Sequence, residues 1–269
     1  YAFNASAGAH VNVSVGGVGV AAGDALRFVG ASAASCDGEA SAAYGGEAAV
    51  SALGVATLVP RAAGAGAGRQ LCYRFGGAGE PFVLYPNYVL NIRSVSGPAF
   101  TAVVAGVAER VVFEGDGITA GDSVFWVPAS ATTCEDDGRT AEVVLDAGGG
   151  ATVLFDEATA GLRLCAVLAG RAPVLYGGVR LDVYAVTGPS ETQVVAVGAD
   201  AQVLLTGVGI AAGDEAFWAE PSAACADAAP SVAFGGLLAV AEGGALPFRL
   251  AAPGPGSLQL CYRFASKAW

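Results

Sequence analysis

Six cysteines carry the plainest chemistry in this chain of 269 residues. They fall two by two, as Cys36 and Cys72, Cys134 and Cys165, Cys225 and Cys261. Six thiols allow many pairings, but each pair occupies the same place in a repeated frame, which selects a bond within each repeat. Such bonds would close loops of about 30–36 residues, worth roughly 3–4 kcal/mol each in the chain-entropy model. The alternative is six buried free thiols. Disulfides imply an oxidising compartment. Two sequons, Asn4-Ala5-Ser6 and Asn12-Val13-Ser14, agree, as acceptors of N-glycans.

The remaining reactive groups do not converge. His10 is the one histidine and has no Ser or Cys motif beside it, so a hydrolytic triad has nothing to work with. Metal ligation by His or thiolate is likewise unsupported. Glu135-Asp136-Asp137, next to Cys134, could hold Ca²⁺ together with Asp122. Its spacing matches no calcium loop, and a solvated loop is the plainer reading. The glycine-rich run from Gly64 to Gly68 has no following Lys-Ser/Thr and so resembles no phosphate loop. No catalytic residue, metal or cofactor is therefore expected, and the chain is read as not an enzyme.

The cysteines sit inside two markers that recur in fixed order. Leu71-Cys72-Tyr73-Arg74-Phe75 returns within Leu162-Arg163-Leu164-Cys165-Ala166-Val167-Leu168 and as Leu260-Cys261-Tyr262-Arg263-Phe264. Upstream stand Gly23-Asp24…Phe28…Cys36, Gly121-Asp122…Trp126…Cys134 and Gly213-Asp214…Trp218…Cys225. Three copies imply three modules of about 90 residues each: 1–96, 97–187 and 188–269. Gly97-Pro98 and Gly188-Pro189 mark the boundaries and read as short hinges. Module 3 stops at Trp269, soon after Phe264, without the last strand of its neighbours. Either the sequence is a fragment or another segment supplies that strand. Tyr1 opens directly into a module, which reads as a processed or excised piece.

Within module 2, short β-rich runs lie at regular spacing with glycine turns between them. Ser123–Val127 and 162–168 are strand-like; Gly115-Asp116-Gly117 reads as a turn, and Gly148-Gly149-Gly150 as a hairpin between 141–145 and 151–155. The last part reads as two strands, 173–176 and 179–183. The fold class is all-β, three tandem immunoglobulin-like antiparallel β-sandwiches with one disulfide each. The cysteine placement differs from antibody domains. Gly-Asp at Asp24, Asp122 and Asp214 reads as a turn whose carboxylate accepts backbone N–H bonds. Phe28, Trp126 and Trp218 read as core plugs. Their neighbours Phe125 and Phe217 point the opposite way on a strand, so they are expected to face another module or chain; Arg27 takes that slot in module 1.

Net charge is −11 and Lys267 is the one lysine. Phosphate affinity needs Lys/Arg density, so no nucleic acid is expected as a partner. No apolar run reaches the roughly 18–20 residues of a spanning helix, so no membrane insertion is expected in this segment. The run 71–92, with Leu-Cys-Tyr-Arg-Phe, Pro-Phe-Val-Leu-Tyr-Pro and Val-Leu-Asn-Ile, resembles repeated modules of large extracellular glycoproteins of protists and green algae. The Ala/Gly-rich, cysteine-paired character is similar to the mastigoneme glycoproteins of green-algal cilia. That resemblance implies tandem Ig-like modules assembling on a ciliary surface without enzymatic activity. Expected partners are other copies or modules of the same or a related glycoprotein, and N-glycans. The alternative is an adhesion or receptor ectodomain that binds a protein or glycan through its loops.

Overall fold

The structure, a computed structural model, describes residues 1–37, 40–98, 100–189, 193–252, 256–265 and 267. Trp269, where the sequence reading ends module 3, lies outside them. Contacts divide the chain into two units. Unit 1 is Tyr1–Thr101, Arg110–Val153 and Gly161–Leu181; unit 2 is Ala102–Glu109, Leu154–Ala160 and Asp182–Trp269.

Unit 1 opens with β1 (Ala2–Ser6), β2 (Val11–Ser14), β3 (Ala25–Val29), β4 (Glu47–Ala49), β5 (Val55–Leu58), β6 (Gly66–Arg74) and β7 (Val83–Gly97). One layer has the order β1-β7-β6-β3-β4, and β2 with β5 forms the facing layer. β1 runs parallel to β7, with Ala2 beside Val89 and Ser6 beside Arg93. Strand period explains the packing: Val11 and Val13 are buried while Asn12 and Ser14 are exposed. With Ala56 and Leu58 of β5, those valines close on Leu26, Phe28, Leu71, Leu90 and Ile92 of the larger sheet. Each of these Val, Leu, Ile and Phe side chains contributes about 1.5–3 kcal/mol by leaving water. Pro86 is tolerated inside β7 because the register with β6 jumps there. Gln70 faces Val89 and Leu71 faces Tyr85, leaving Pro86 in the bulge between them.

The chain continues through β8 (Phe100–Val104), most of which belongs to unit 2, and then, largely in unit 1, through β9 (Glu109–Val112), β10 (Glu114–Asp116), β11 (Ser123–Val127), β12 (Val143–Val144), β13 (Gly150–Val153), β14 (Thr159–Val167) and the first half of β15 (Val174–Gly188). Their order is β12-β11-β14-β15, with β8 beside β15 and with β9 and β13 paired separately. Two expectations change here. The Gly148–Gly150 turn is tight, because the Asp146 carboxylate accepts from the N–H groups of Gly148 and Gly150. Its flanks do not form a hairpin, however: β12 pairs with β11 and β13 pairs with β9, so the turn carries the chain from one layer to the other. The two strands expected over 173–183 are one strand.

Unit 2 adds β16 (Asp200–Leu204), β17 (Thr206–Val208), β18 (Glu215–Ala219), β19 (Leu238–Ala239), β20 (Ala245–Arg249) and β21 (Gln259–Arg263) to the second half of β15. β16 pairs with β20, and β19-β18-β21 makes the other layer. Val203, Leu205, Ala216, Leu246 and Phe248 form the core between them. In unit 1, β6 has β7 at its side and β14 has β15; among the described residues β21 has only β18. Trp218, Leu260 and Tyr262 are accordingly half-buried and line an open cavity of about 750 Å³.

Phe125 and Phe217 do not face another module or chain; they are 2% and 1% exposed. All five residues of β11 are buried, because the strand is covered on both faces. Trp126 lies opposite Leu164, with its ring 6.1 Å from Phe113 on the inner side. Phe125 lies opposite Cys165 on the outer side, where it packs with Val127, Ala131 and Cys134. Phe217 packs likewise with Ala219, Cys261 and Cys225. The premise that one core cannot hold two adjacent aromatics is sound. What covers the second ring is the module's own disulfide-tied loop. In module 1 the slot holds Arg27, whose guanidinium donates to the carbonyl of Cys36 and lies 4.2 Å from the centroid of the Phe82 ring. Phe125→Ala is expected to cost about 3–5 kcal/mol in urea unfolding, the range of a core truncation. A surface aromatic would change stability by only about 0.5 kcal/mol, and that result would contradict the burial.

Candidate interaction site at the module joints

β7 does not stop where module 1 ends. Its residues Ser94, Val95 and Gly97 pair with Asp116, Gly115 and Glu114 of β10. In unit 2 the end of β15 repeats the arrangement on β17, with Ala185 facing Val208, Val186 facing Gly207 and Gly188 facing Thr206. The segment read as a turn at 115–117 is therefore a strand over Glu114–Asp116, and the glycines read as hinges are held in ladders. Backbones approach so closely that only glycine fits. A Cβ on Gly115 would lie 2.0 Å from the Ser94 carbonyl oxygen, and one on Gly207 would lie 2.0 Å from that of Ala185. The second glycine of each joint accepts a side chain from the incoming strand. Gly117 lies under the Arg93 stem, and a Cβ on Gly209 would sit 2.2 Å from the Tyr184 ring.

A buried aspartate stands behind each of these segments. Asp24 accepts from the N–H of Ala21 at 2.9 Å, the N–H of Gly76 at 2.9 Å and the hydroxyl of Tyr73 at 2.7 Å. Asp122 accepts from the N–H of Thr119 at 2.8 Å and of Ala169 at 2.7 Å. Arg93, arriving on β7, places its guanidinium 3.4 Å from the same carboxylate. Asp214 accepts from the N–H of Ala211 at 2.8 Å, that of Ala265 at 2.7 Å, and from the Tyr262 hydroxyl. Each carboxylate thus holds its own turn through backbone N–H bonds, as the Gly-Asp reading anticipated, and also ties that turn to the end of the cysteine strand, which it did not. The N–H of Ala21, the Tyr73 hydroxyl and the N–H of Gly76 hold the Asp24 carboxyl below its ordinary value, against the opposing effect of desolvation. Burial, then Asp24, push the Tyr73 hydroxyl up; burial, then Asp214, do the same to Tyr262.

The cysteines are bonded as Cys36–Cys72, Cys134–Cys165 and Cys225–Cys261, with Cα–Cα distances of 5.9, 5.8 and 5.4 Å. Each bond lies on the outer face of one sheet rather than between sheets. Asn12 is exposed and its side-chain oxygen accepts from the Thr57 hydroxyl at 2.8 Å. Asn4 is half-buried, with Asn91 donating to its side-chain oxygen at 3.2 Å. His10 is exposed in the turn after β1. Asp122 is not joined by 135–137, because its oxygens serve the network above; Asp136 accepts from the N–H of Gly138 in its own loop. Among the described residues no cluster of three or more His, Cys, Asp or Glu side chains could hold a metal ion. None of their helices is long and apolar enough to cross a membrane. Sequence reasoning missed the joints, although Gly17-Val18-Gly19, Gly115-Asp116-Gly117 and Gly207-Val208-Gly209 stand at equivalent distances before each Gly-Asp and were the available signal.

No protein-family model matches the chain, and no curated protein does. Among solved structures it is similar to extracellular domains 3–5 of Drosophila OTK, at 12% identity over 97% of this chain and 92% of that one, with a TM-score of 0.22. It is similar to three N-terminal domains of the bacteriophage RB49 Highly Immunogenic Outer Capsid protein, at 10% identity over 95% and 86%, with a TM-score of 0.23. The N-terminal four Ig domains of Dscam1 isoform 8.4 match at 14% identity over 92% and 69%, with a TM-score of 0.24. These values add nothing on function, and the Ig-like sandwich assignment rests on the strand pairings above.

The lowered Asp24 pKa sets a pH dependence. A carboxylate with a depressed folded pKa contributes stability above its unfolded pKa and loses it as pH falls through the folded pKa. The urea midpoint is therefore expected to fall as pH drops below about 4. Asp24→Asn should lower the midpoint at neutral pH and make the acid limb shallower. An unchanged acid limb in that variant would contradict the role given to Asp24.

Proposed function

We propose that this chain is a non-enzymatic extracellular structural glycoprotein whose Ig-like modules pack into a surface or ciliary filament. One observation carries the reading: twice along the chain, the final strand of one module is completed by the opening segment of the next. A tether between independent binding domains has no need of a shared ladder, and a load-bearing array does. Three intramolecular disulfides support an oxidising, extracellular setting. Exposed Asn12 and half-buried Asn4, each heading a sequon, are the N-glycan acceptors of this reading. Partners are other copies or modules of the same or a related glycoprotein. The ciliary placement follows the likeness of the Ala/Gly-rich, cysteine-paired character to the mastigoneme glycoproteins.

A second reading, an adhesion or receptor ectodomain, is favoured by the exposed acidic residues Glu135 and Asp137, since the loops after Cys36 and Cys225 carry no such triplet. Electron microscopy of the native protein isolated from its source separates the two. Filaments or sheets with a module-scale repeat are expected. Dispersed strings of beads that acquire a soluble partner would overturn the structural reading in favour of the ectodomain.

A further inference from the structure

The Gly-x-Gly segment that receives an incoming strand occurs three times, and two copies are filled. Gly115 and Gly207 lie in ladders with the preceding module's last strand. Among the described residues no strand pairs with Gly17-Val18-Gly19. Its backbone nevertheless matches the filled copy of unit 2: φ is 157° at Gly17 against 156° at Gly207, and 86° at Gly19 against 82° at Gly209. A Cβ on Gly17 would meet only Val20, at 3.9 Å, where the filled copies meet a carbonyl oxygen at 2.0 Å.

The side chains around it tell the same story. In unit 2, Tyr184 of the incoming strand lies over Phe264, with ring centroids 5.1 Å apart. Phe264 is 5% exposed, and Leu168, its counterpart in module 2, is 0% exposed. Phe75 holds the same position in module 1 and is 36% exposed, while Val18 is exposed along its whole side chain. Phe75 borders an open cavity of about 250 Å³ with Val15, Val20, Tyr85 and Tyr88. An apolar residue left bare only where the covering strand is missing, beside backbone already shaped for pairing, describes an unoccupied acceptor.

We infer that the Gly17–Gly19 edge of module 1 docks the terminal half of the last strand of a further module of this same kind, added end to end as an extra strand. The chemistry of the occupant follows from the filled joints. A small residue, as Ser94 or Ala185, brings its carbonyl over the first glycine. A flat side chain precedes it and covers the second glycine. Arg93 suits the joint where Asp122 is within reach; Tyr184 suits the joint with a phenylalanine. Module 1 offers Phe75, so the matching strand is of the Tyr184 type. This surface deepens the assembly reading by naming its contact, yet can fail independently of it.

The test adds a synthetic peptide of residues 179–189 to the whole chain and follows amide hydrogen exchange. With peptide at about ten times its Kd, amides of residues 16–19 are expected to exchange about tenfold more slowly. Replacing the peptide's tyrosine, Tyr184→Ala, should lose most of that protection. Peptides N-methylated at alternate residues should bind in one phase and not in the other, because only one phase blocks the ladder. Absence of binding up to about 1 mM, equal binding by both N-methylated phases, or protection at Trp218 and Leu260 instead of 16–19 would each overturn the inference. Native filaments observed together with any of those results would keep the assembly reading and remove this edge from it.

Discussion

A sheet edge leaves a row of backbone N–H and C=O groups that must find partners. In this protein that demand is met by letting one strand serve two modules. β7 and β15 are each 15 residues long, well beyond what a single small sandwich needs. Their first halves close their own module beside β6 and β14; their last residues form a ladder with the opening of the next. The Gly-x-Gly segments, the buried aspartates and the side chains over the second glycine all follow from this. Glycine allows the approach, the aspartate fixes the turn behind it, and Arg93 or Tyr184 fills the space that remains.

A second constraint acts at the level of one module. Small sandwiches rich in Ala and Gly bury modest area, and here modules 2 and 3 gain a second apolar layer on the outer face of one sheet. The loop tied by the disulfide folds over Phe125 or Phe217 and shields that face of the aromatic strand. The bond therefore does more than restrict the unfolded chain: it holds a lid whose apolar contacts add to those of the main core. Module 1 solves the same problem with Arg27, which buries its stem, donates to the Cys36 carbonyl and stacks against Phe82.

Much of this was legible before the structure. The recurrence of Gly-Asp, an aromatic and two cysteines identified the repeating frame, and β-rich runs such as Ser123–Val127 placed strands. The turn role of Asp24 followed from its residue type. Other features needed the third dimension. Adjacent Phe125 and Trp126 showed that a strand has two covered faces, but not that the cover on one face is the module's own loop. The pair Gly177-Gly178 looked like a break in what is one continuous strand, and the register shift that leaves Pro86 unpaired inside β7 is invisible in sequence. Gly115-Asp116-Gly117 has turn composition, and only the neighbouring Ser94 carbonyl explains why glycine is required there.

Amide hydrogen exchange at the joints tests the shared strand most directly. If β7 and β15 serve two modules, the paired amides among residues 94–97, 114–116, 185–188 and 206–208 exchange as slowly as those of β6 and β14, the strands beside them. Exchange of these four segments at the rate of the exposed loops, with β6 and β14 still protected, would show that the modules are merely tethered and would contradict the shared ladder.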